Sequence, residues 1–85
     1  MKMVSITIQC PDEVLISLKD NAESFGRDLT LAAAMKFYEL GRLSSGRAAD
    51  LAGIPRVEFL RRAHEFKVPA WDLSEEDIRQ DLSDA

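Results

Sequence analysis

The stretch that decides the fold runs from Ser44 to Phe66 and reads SSGRAADLAGIPRVEFLRRAHEF. It begins with an alanine-rich segment, continues through Gly53 and Ile54, and resumes a helical pattern after Pro55. In a helix-turn-helix, the first helix presents small side chains where the second helix crosses it, and a glycine allows the tight turn between them. We therefore predict a helix-turn-helix over this stretch.

The second helix of this motif departs from the usual pattern at Arg62. An apolar side chain normally stands there and closes the helix against the core, so we expect Phe59, Leu60 and Ala63 to supply that packing. An αα-corner with no role in nucleic-acid binding has a similar pattern, and it stays open as the alternative.

Two longer helices are predicted before the motif. The first should follow Pro11 and cover residues 12–24, where apolar side chains recur at helical spacing, and Gly26 is expected to end it. The second should run from about Asp28 to Leu40, because its alanine-rich middle has high helix propensity.

The N-terminus alternates strictly between apolar and polar side chains from Met3 to Gln9. Val4, Ile6 and Ile8 share one face, which predicts a half-buried β-strand that pairs across a dimer or with residues 68–71 of its own chain. The predicted fold class is therefore mainly α, with one N-terminal β-strand followed by four to five helices.

Size and charge restrict the possible functions. A chain of 85 residues has room for one small core and often depends on a partner, so we expect a homodimer. No apolar run reaches the ~18 residues that a membrane helix needs, and the N-terminus lacks the apolar run of a signal peptide, so we expect a cytoplasmic protein.

Residues 36–67 carry seven basic and four acidic side chains, whereas residues 68–85 carry one basic and six acidic ones. A basic middle and an acidic tail suit two different partners.

The side chains that carry most enzyme chemistry are scarce. Cys10 and His64 are the only cysteine and histidine, so the usual Cys/His zinc site and a histidine relay are both excluded. The four glycines are scattered and form no phosphate-binding loop. We predict no enzyme activity, no catalytic residue, no metal, no cofactor and no small-molecule substrate.

The acidic C-terminal segment, residues 68–85, is predicted to bind a partner. Pro69 favours an extended chain at its start, and a short amphipathic helix is expected after Ser74. A helix this short needs a surface to dock against. The candidate partner-binding residues are Trp71, Leu73, Ile78, Arg79 and Leu82.

The run YELGRLSSGRAADLAGI at residues 38–54, together with Pro11–Leu15 and Glu58–Leu60, resembles uncharacterised protein family 0175, whose members are small prokaryotic antitoxin-like proteins with a helix-turn-helix. The resemblance implies two tasks, which are to bind operator DNA and to mask a PIN-domain-like nuclease toxin. In related toxin systems an antitoxin tail can place a cation against the metal-binding acids of the nuclease, and Arg79 is the only basic residue of this tail.

We interpret residues 1–67 as a strand plus a helical DNA-binding domain, with the helix-turn-helix at residues 44–66. Cationic and polar side chains of this region are expected to contact phosphates or base edges. The candidate DNA-binding residues are Arg42, Ser45, Arg47, Arg56, Arg61 and Arg62.

Two other interpretations stay open. A protein-interaction adaptor without nucleic-acid binding would use its arginines in salt bridges within the chain or between the two chains of a dimer. A module of the ribbon-helix-helix type would instead place Ser5, Thr7 and Gln9 of the N-terminal strand in the DNA major groove.

Overall fold

The computed structural model describes residues 2–73, and this part of the chain is all-helical. Helix α1 spans Asp12–Leu18, α2 spans Ala22–Glu39, α3 spans Ser45–Ala52 and α4 spans Arg56–Glu65. Helix α3 packs against both α2 and α4. None of the four helices is long and apolar enough to cross a membrane.

The predicted N-terminal β-strand is wrong for the described residues. Between Met3 and Gln9 the backbone joins no β-ladder, and the side chains of Val4, Ile6 and Ile8 are 76%, 81% and 63% exposed. An alternating pattern identifies an apolar face, but a strand also requires a second strand for its hydrogen bonds, and this chain supplies none among the described residues. The expected pairing of that strand across a dimer therefore has no support.

The break between the first two helices lies earlier than predicted. Helix α1 ends at Leu18, and Asn21 caps α2 through a reciprocal pair of hydrogen bonds with Ser24. The Asn21 side chain accepts from the Ser24 N–H at 2.9 Å, and the Ser24 hydroxyl accepts from the Asn21 N–H at 3.3 Å. This capping box satisfies two N–H groups that the helix leaves unpaired, whereas a glycine inside a helix costs only about 1 kcal/mol relative to alanine. Gly26 therefore lies inside α2 and does not end a helix.

Both helices predicted between Ser44 and Phe66 are confirmed. The Ser44 side chain caps α3 by accepting from the Arg47 N–H at 3.2 Å. Gly53 ends α3 in the left-handed region, with φ at 72°, and the Ile54 N–H then donates to the Ala49 carbonyl at 3.1 Å. This backbone path needs glycine and turns the chain sharply into α4. We refer to α3, the turn and α4 as the α3–α4 corner.

The core lies where α2, α3 and α4 meet. The Tyr38 and Phe59 rings are fully buried and pack edge to face, with centroids 5.4 Å apart. Phe59 and Ala63 are buried and Leu60 is partly buried against them, which confirms the packing expected for α4. The buried apolar residues are Ala34, Met35, Tyr38, Ala48, Ala49, Phe59, Ala63 and Val68.

Candidate nucleic-acid interface

The N-terminal ends of α3 and α4 meet at an open groove of about 370 Å³. Its lining includes Ser44 and Gly46 from the start of α3 and Arg56 from the start of α4, and Arg47 and Asp50 lie along it. Helix N-termini present unpaired N–H groups and a partial positive charge, which favour anionic oxygen atoms. The groove therefore combines two helix ends with two guanidinium groups.

Three of the predicted DNA-binding arginines form ion pairs within the helices. Arg47 lies 3.4 Å from Asp50 on α3, and Arg61 donates to Glu58 on α4 with an Nε to Oε2 distance of 2.9 Å. The hydrogen bond from Arg61 holds the pKa of Glu58 below its ordinary value. Arg62 also approaches Glu58, at 3.6 Å. Each of these pairs joins neighbouring turns of the same helix.

Arg62 is partly buried, whereas Arg42 is exposed. The Arg62 Nε is buried, and in the part of the chain that the structure describes it has no hydrogen-bond partner. The Arg42 guanidinium lies 5.5 Å from the centroid of the Phe37 ring, in the range of a cation–π contact. The contact with Phe37 places Arg42 beside the end of α2.

The remaining predicted residues, Ser45 and Arg56, are brought together by the turn. Ser45 is completely buried at the start of α3, and its hydroxyl accepts from the Arg56 Nε at 2.9 Å. This hydrogen bond links the first turn of α3 to the first turn of α4. Ser45 therefore makes a structural contact within the corner.

Residues 68–73, which we call the C-terminal strap, cross α2 and the start of α3. Val68 is buried in the core, and the Trp71 ring stacks on Tyr38 with centroids 5.5 Å apart. The Trp71 Nε1 donates to the Tyr38 carbonyl at 2.7 Å. Trp71 remains 51% exposed, so one side of its ring faces solvent.

Asp72 anchors the strap to the α3–α4 corner. Its Oδ2 accepts from the Ser45 N–H at 2.7 Å and from the Ser45 hydroxyl at 3.0 Å, while its Oδ1 accepts from the Tyr38 hydroxyl at 2.9 Å. Burial alone would raise the pKa of Asp72, but these hydrogen bonds outweigh burial and hold the pKa below its ordinary value. Burial and, to a smaller extent, the hydrogen bond to Asp72 raise the pKa of Tyr38 to about 12.

The sequence interpretation missed the role of Asp72. Ser45 and Asp72 lie 27 positions apart, so no helical or strand periodicity connects them. Among the predicted partner-binding residues, Leu73 is partly buried at the end of the strap. Ile78, Arg79 and Leu82 lie outside the described residues.

Comparison with known proteins identifies relatives of this sequence. A family model described as "Uncharacterised protein family (UPF0175)" matches residues 1–85. A UPF0175 protein from Aeropyrum pernix is 32% identical over 73 residues, and the match covers 82% of this chain and 92% of the relative. No solved structure matches the chain significantly.

Proposed function

The chain belongs to the uncharacterised protein family UPF0175, and from that premise we propose that it is an antitoxin-like DNA-binding protein. It binds operator DNA through the α3–α4 corner, and it masks a nuclease toxin of the PIN-domain kind through its C-terminal segment. The observation that carries the DNA-binding part is the open groove at which the N-terminal ends of α3 and α4 meet, with Arg47 and Arg56 in its lining.

The geometry of the corner supports this proposal because phosphate contacts in helix-turn-helix complexes come from helix N-termini and basic side chains. Arg47 stands 71% exposed at this groove. Its pair with Asp50 is no obstacle, because water and salt screen both charges of a surface ion pair, and such pairs contribute little to stability. The guanidinium exchanges the Asp50 carboxylate for a phosphate at small cost.

A matched pair of variants tests the DNA-binding proposal. Arg47→Ala removes a cation at the groove, whereas Arg27→Ala removes a cation of similar exposure that pairs with Glu23 on the distant first half of α2. We expect Arg47→Ala to weaken binding to the duplex upstream of the protein's own gene by roughly fivefold to thirtyfold, as for the loss of one charged phosphate contact. Arg27→Ala should leave the affinity within twofold. Equal affinities for both variants and the wild type would remove the corner from the interface.

A protein-interaction adaptor is the second candidate function. The observation that favours it is the pairing of Arg47 and Arg61 with acidic side chains of their own helices. This candidate expects no salt-dependent binding of DNA by the wild type, while a protein partner still forms a stable complex. The same titration therefore separates the two functions.

The toxin-masking part rests on the acidic segment after the strap. Truncation after Leu73 removes Ile78, Arg79 and Leu82 and leaves the strap in place. We expect the truncated chain to lose co-purification with the PIN-domain-like product of a neighbouring gene, while its circular dichroism keeps the helical signal of the four helices. A complex that survives the truncation would contradict this assignment.

A further inference from the structure

The C-terminal strap places a negative charge at the corner that is proposed to meet DNA. The Asp72 carboxylate accepts from the Ser45 N–H, which is the first N–H group of α3, and from the Ser45 hydroxyl. A DNA phosphate would present the same kind of charged oxygen to the same helix end. The carboxylate and a phosphate would therefore compete for the Ser45 N–H, and their like charges repel each other.

The strap can leave without dismantling the corner. Helix α3 keeps its own cap when Asp72 departs, because the Ser44 side chain accepts from the Arg47 N–H. The contact between Arg56 and Ser45 also lies within the corner itself. The strap is tied beyond Val68 by Trp71 and Asp72, both of which are incompletely buried. A segment whose attachments are partly solvated opens at lower free energy than the core.

We propose that the C-terminal strap is an autoinhibitory cover of the first turn of α3, beside the open groove of the α3–α4 corner. When the strap is docked, the Asp72 carboxylate occupies the N-terminal end of α3 and repels the DNA backbone. When the strap is undocked, this negative charge is gone and the electrostatic potential of the corner is more positive. This inference rests on the proposed DNA binding, and it adds the element that regulates it. Asp72 is the residue that carries the inhibition, and Trp71 is the residue that holds the strap in place.

Removal of one charge tests the cover directly. Asp72→Asn keeps a side-chain oxygen that accepts from Ser45 and removes the negative charge. Asp12→Asn, at the exposed start of α1, makes the same change of net charge far from the corner. With the duplex upstream of the protein's own gene, we expect Asp72→Asn to bind about threefold to tenfold more tightly than the wild type, with a salt dependence steeper by about one counterion. Asp12→Asn should change the affinity by less than twofold.

Fluorescence of the single tryptophan gives a second readout in the unmodified chain. Because Trp71 stacks on Tyr38 when the strap is docked, saturating DNA should shift its emission to longer wavelength as the ring enters water. The inference is overturned if DNA binds with no change in this emission, or if a folded Asp72→Asn chain binds no more tightly than the wild type. If that variant does not fold, the change in tryptophan emission of the wild type alone tests the inference. Absence of DNA binding by every chain is a different outcome, which refutes the proposed function and the cover together.

Discussion

At the scale of single residues, the ionisation of Asp72 controls how firmly the strap is held. Hydrogen bonds from Ser45 and Tyr38 favour the charged carboxylate, so the pKa of Asp72 is lower in the folded chain than its ordinary value of 3.8. A group with a depressed pKa stabilises the folded state fully above its unfolded value, and this contribution is lost as the pH falls through the folded pKa. The strap should therefore weaken in acid below about pH 4.

Urea unfolding of the wild type and Asp72→Asn at two pH values measures this contribution. At pH 7 we expect the variant to be less stable by about 1 to 2 kcal/mol, because Ser45 and Tyr38 lose a charged acceptor. At pH 3 the difference in the free energy of unfolding should shrink, because this pH lies below the ordinary pKa of 3.8, where the unfolded chain binds a proton that the folded carboxylate binds less readily. A difference that is as large at pH 3 as at pH 7 would exclude the charge of Asp72 as the cause.

The sequence predicts the residues that depend on local patterns, and it does not predict contacts that depend on the tertiary fold. Gly53 and Phe59 were identified from local patterns, because a left-handed turn and a buried helix face leave a signature within a few positions. The contact between Asp72 and Ser45 depends on how the strap crosses α3, and that path is a property of the tertiary fold. Local patterns therefore do not reveal that the Ser45 side chain is buried and hydrogen-bonded to Asp72.

At the scale of elements, the turn between α3 and α4 depends on one backbone conformation. Gly53 has φ at 72°, which side chains with a Cβ atom adopt only with strain, although open space surrounds the position. Gly26 lies within α2, also with open space around it and with no positive φ. Substitution of each glycine by alanine should therefore change the stability in opposite directions.

We expect Gly53→Ala to lower the free energy of unfolding by about 1 kcal/mol, because alanine is strained in the left-handed region. Gly26→Ala should raise it by about 0.5 to 1 kcal/mol, because alanine is favoured over glycine inside a helix. Urea or thermal unfolding monitored by circular dichroism measures both changes. Equal effects of the two substitutions would show that the left-handed turn contributes nothing to stability.

The helix boundaries show which local signals decide an element. Helices α3 and α4 were predicted because a serine cap, a glycine and a proline stand at their ends in the expected order. The predicted break before α2 is misplaced because it rests on Gly26 alone and leaves out the capping box of Asn21 and Ser24. The N-terminal strand was wrong because alternation describes one segment, whereas a strand exists only with its partner.

At the scale of the whole molecule, the N-terminal part exposes apolar side chains that the core does not use. No residue of α1 is buried, and Ile6 and Ile16 are 81% and 73% exposed. Contiguous exposed apolar surface is typical of protein contacts. As part of the proposed function we expect a homodimer, in which side chains from this part of each copy pack together.

Sedimentation equilibrium of the wild type and of the double variant Ile6→Ser and Ile16→Ser tests that association. We expect a dimer for the wild type and a shift toward monomer for the variant, with unchanged helical content. Leu40→Ser, at the exposed end of α2, is the control and should leave the dimer intact. A monomeric wild type would contradict the expectation.

The central claim of the account is that the α3–α4 corner binds the DNA backbone, and the salt dependence of wild-type binding tests it most directly. Titration of the duplex upstream of the protein's own gene, repeated over a range of salt concentrations, gives the number of counterions released. We expect the logarithm of the binding constant to fall linearly with the logarithm of the salt concentration, with a slope of about −2 to −4 per protein chain. Absence of binding at low salt, or binding whose strength does not change with salt, would contradict the claim.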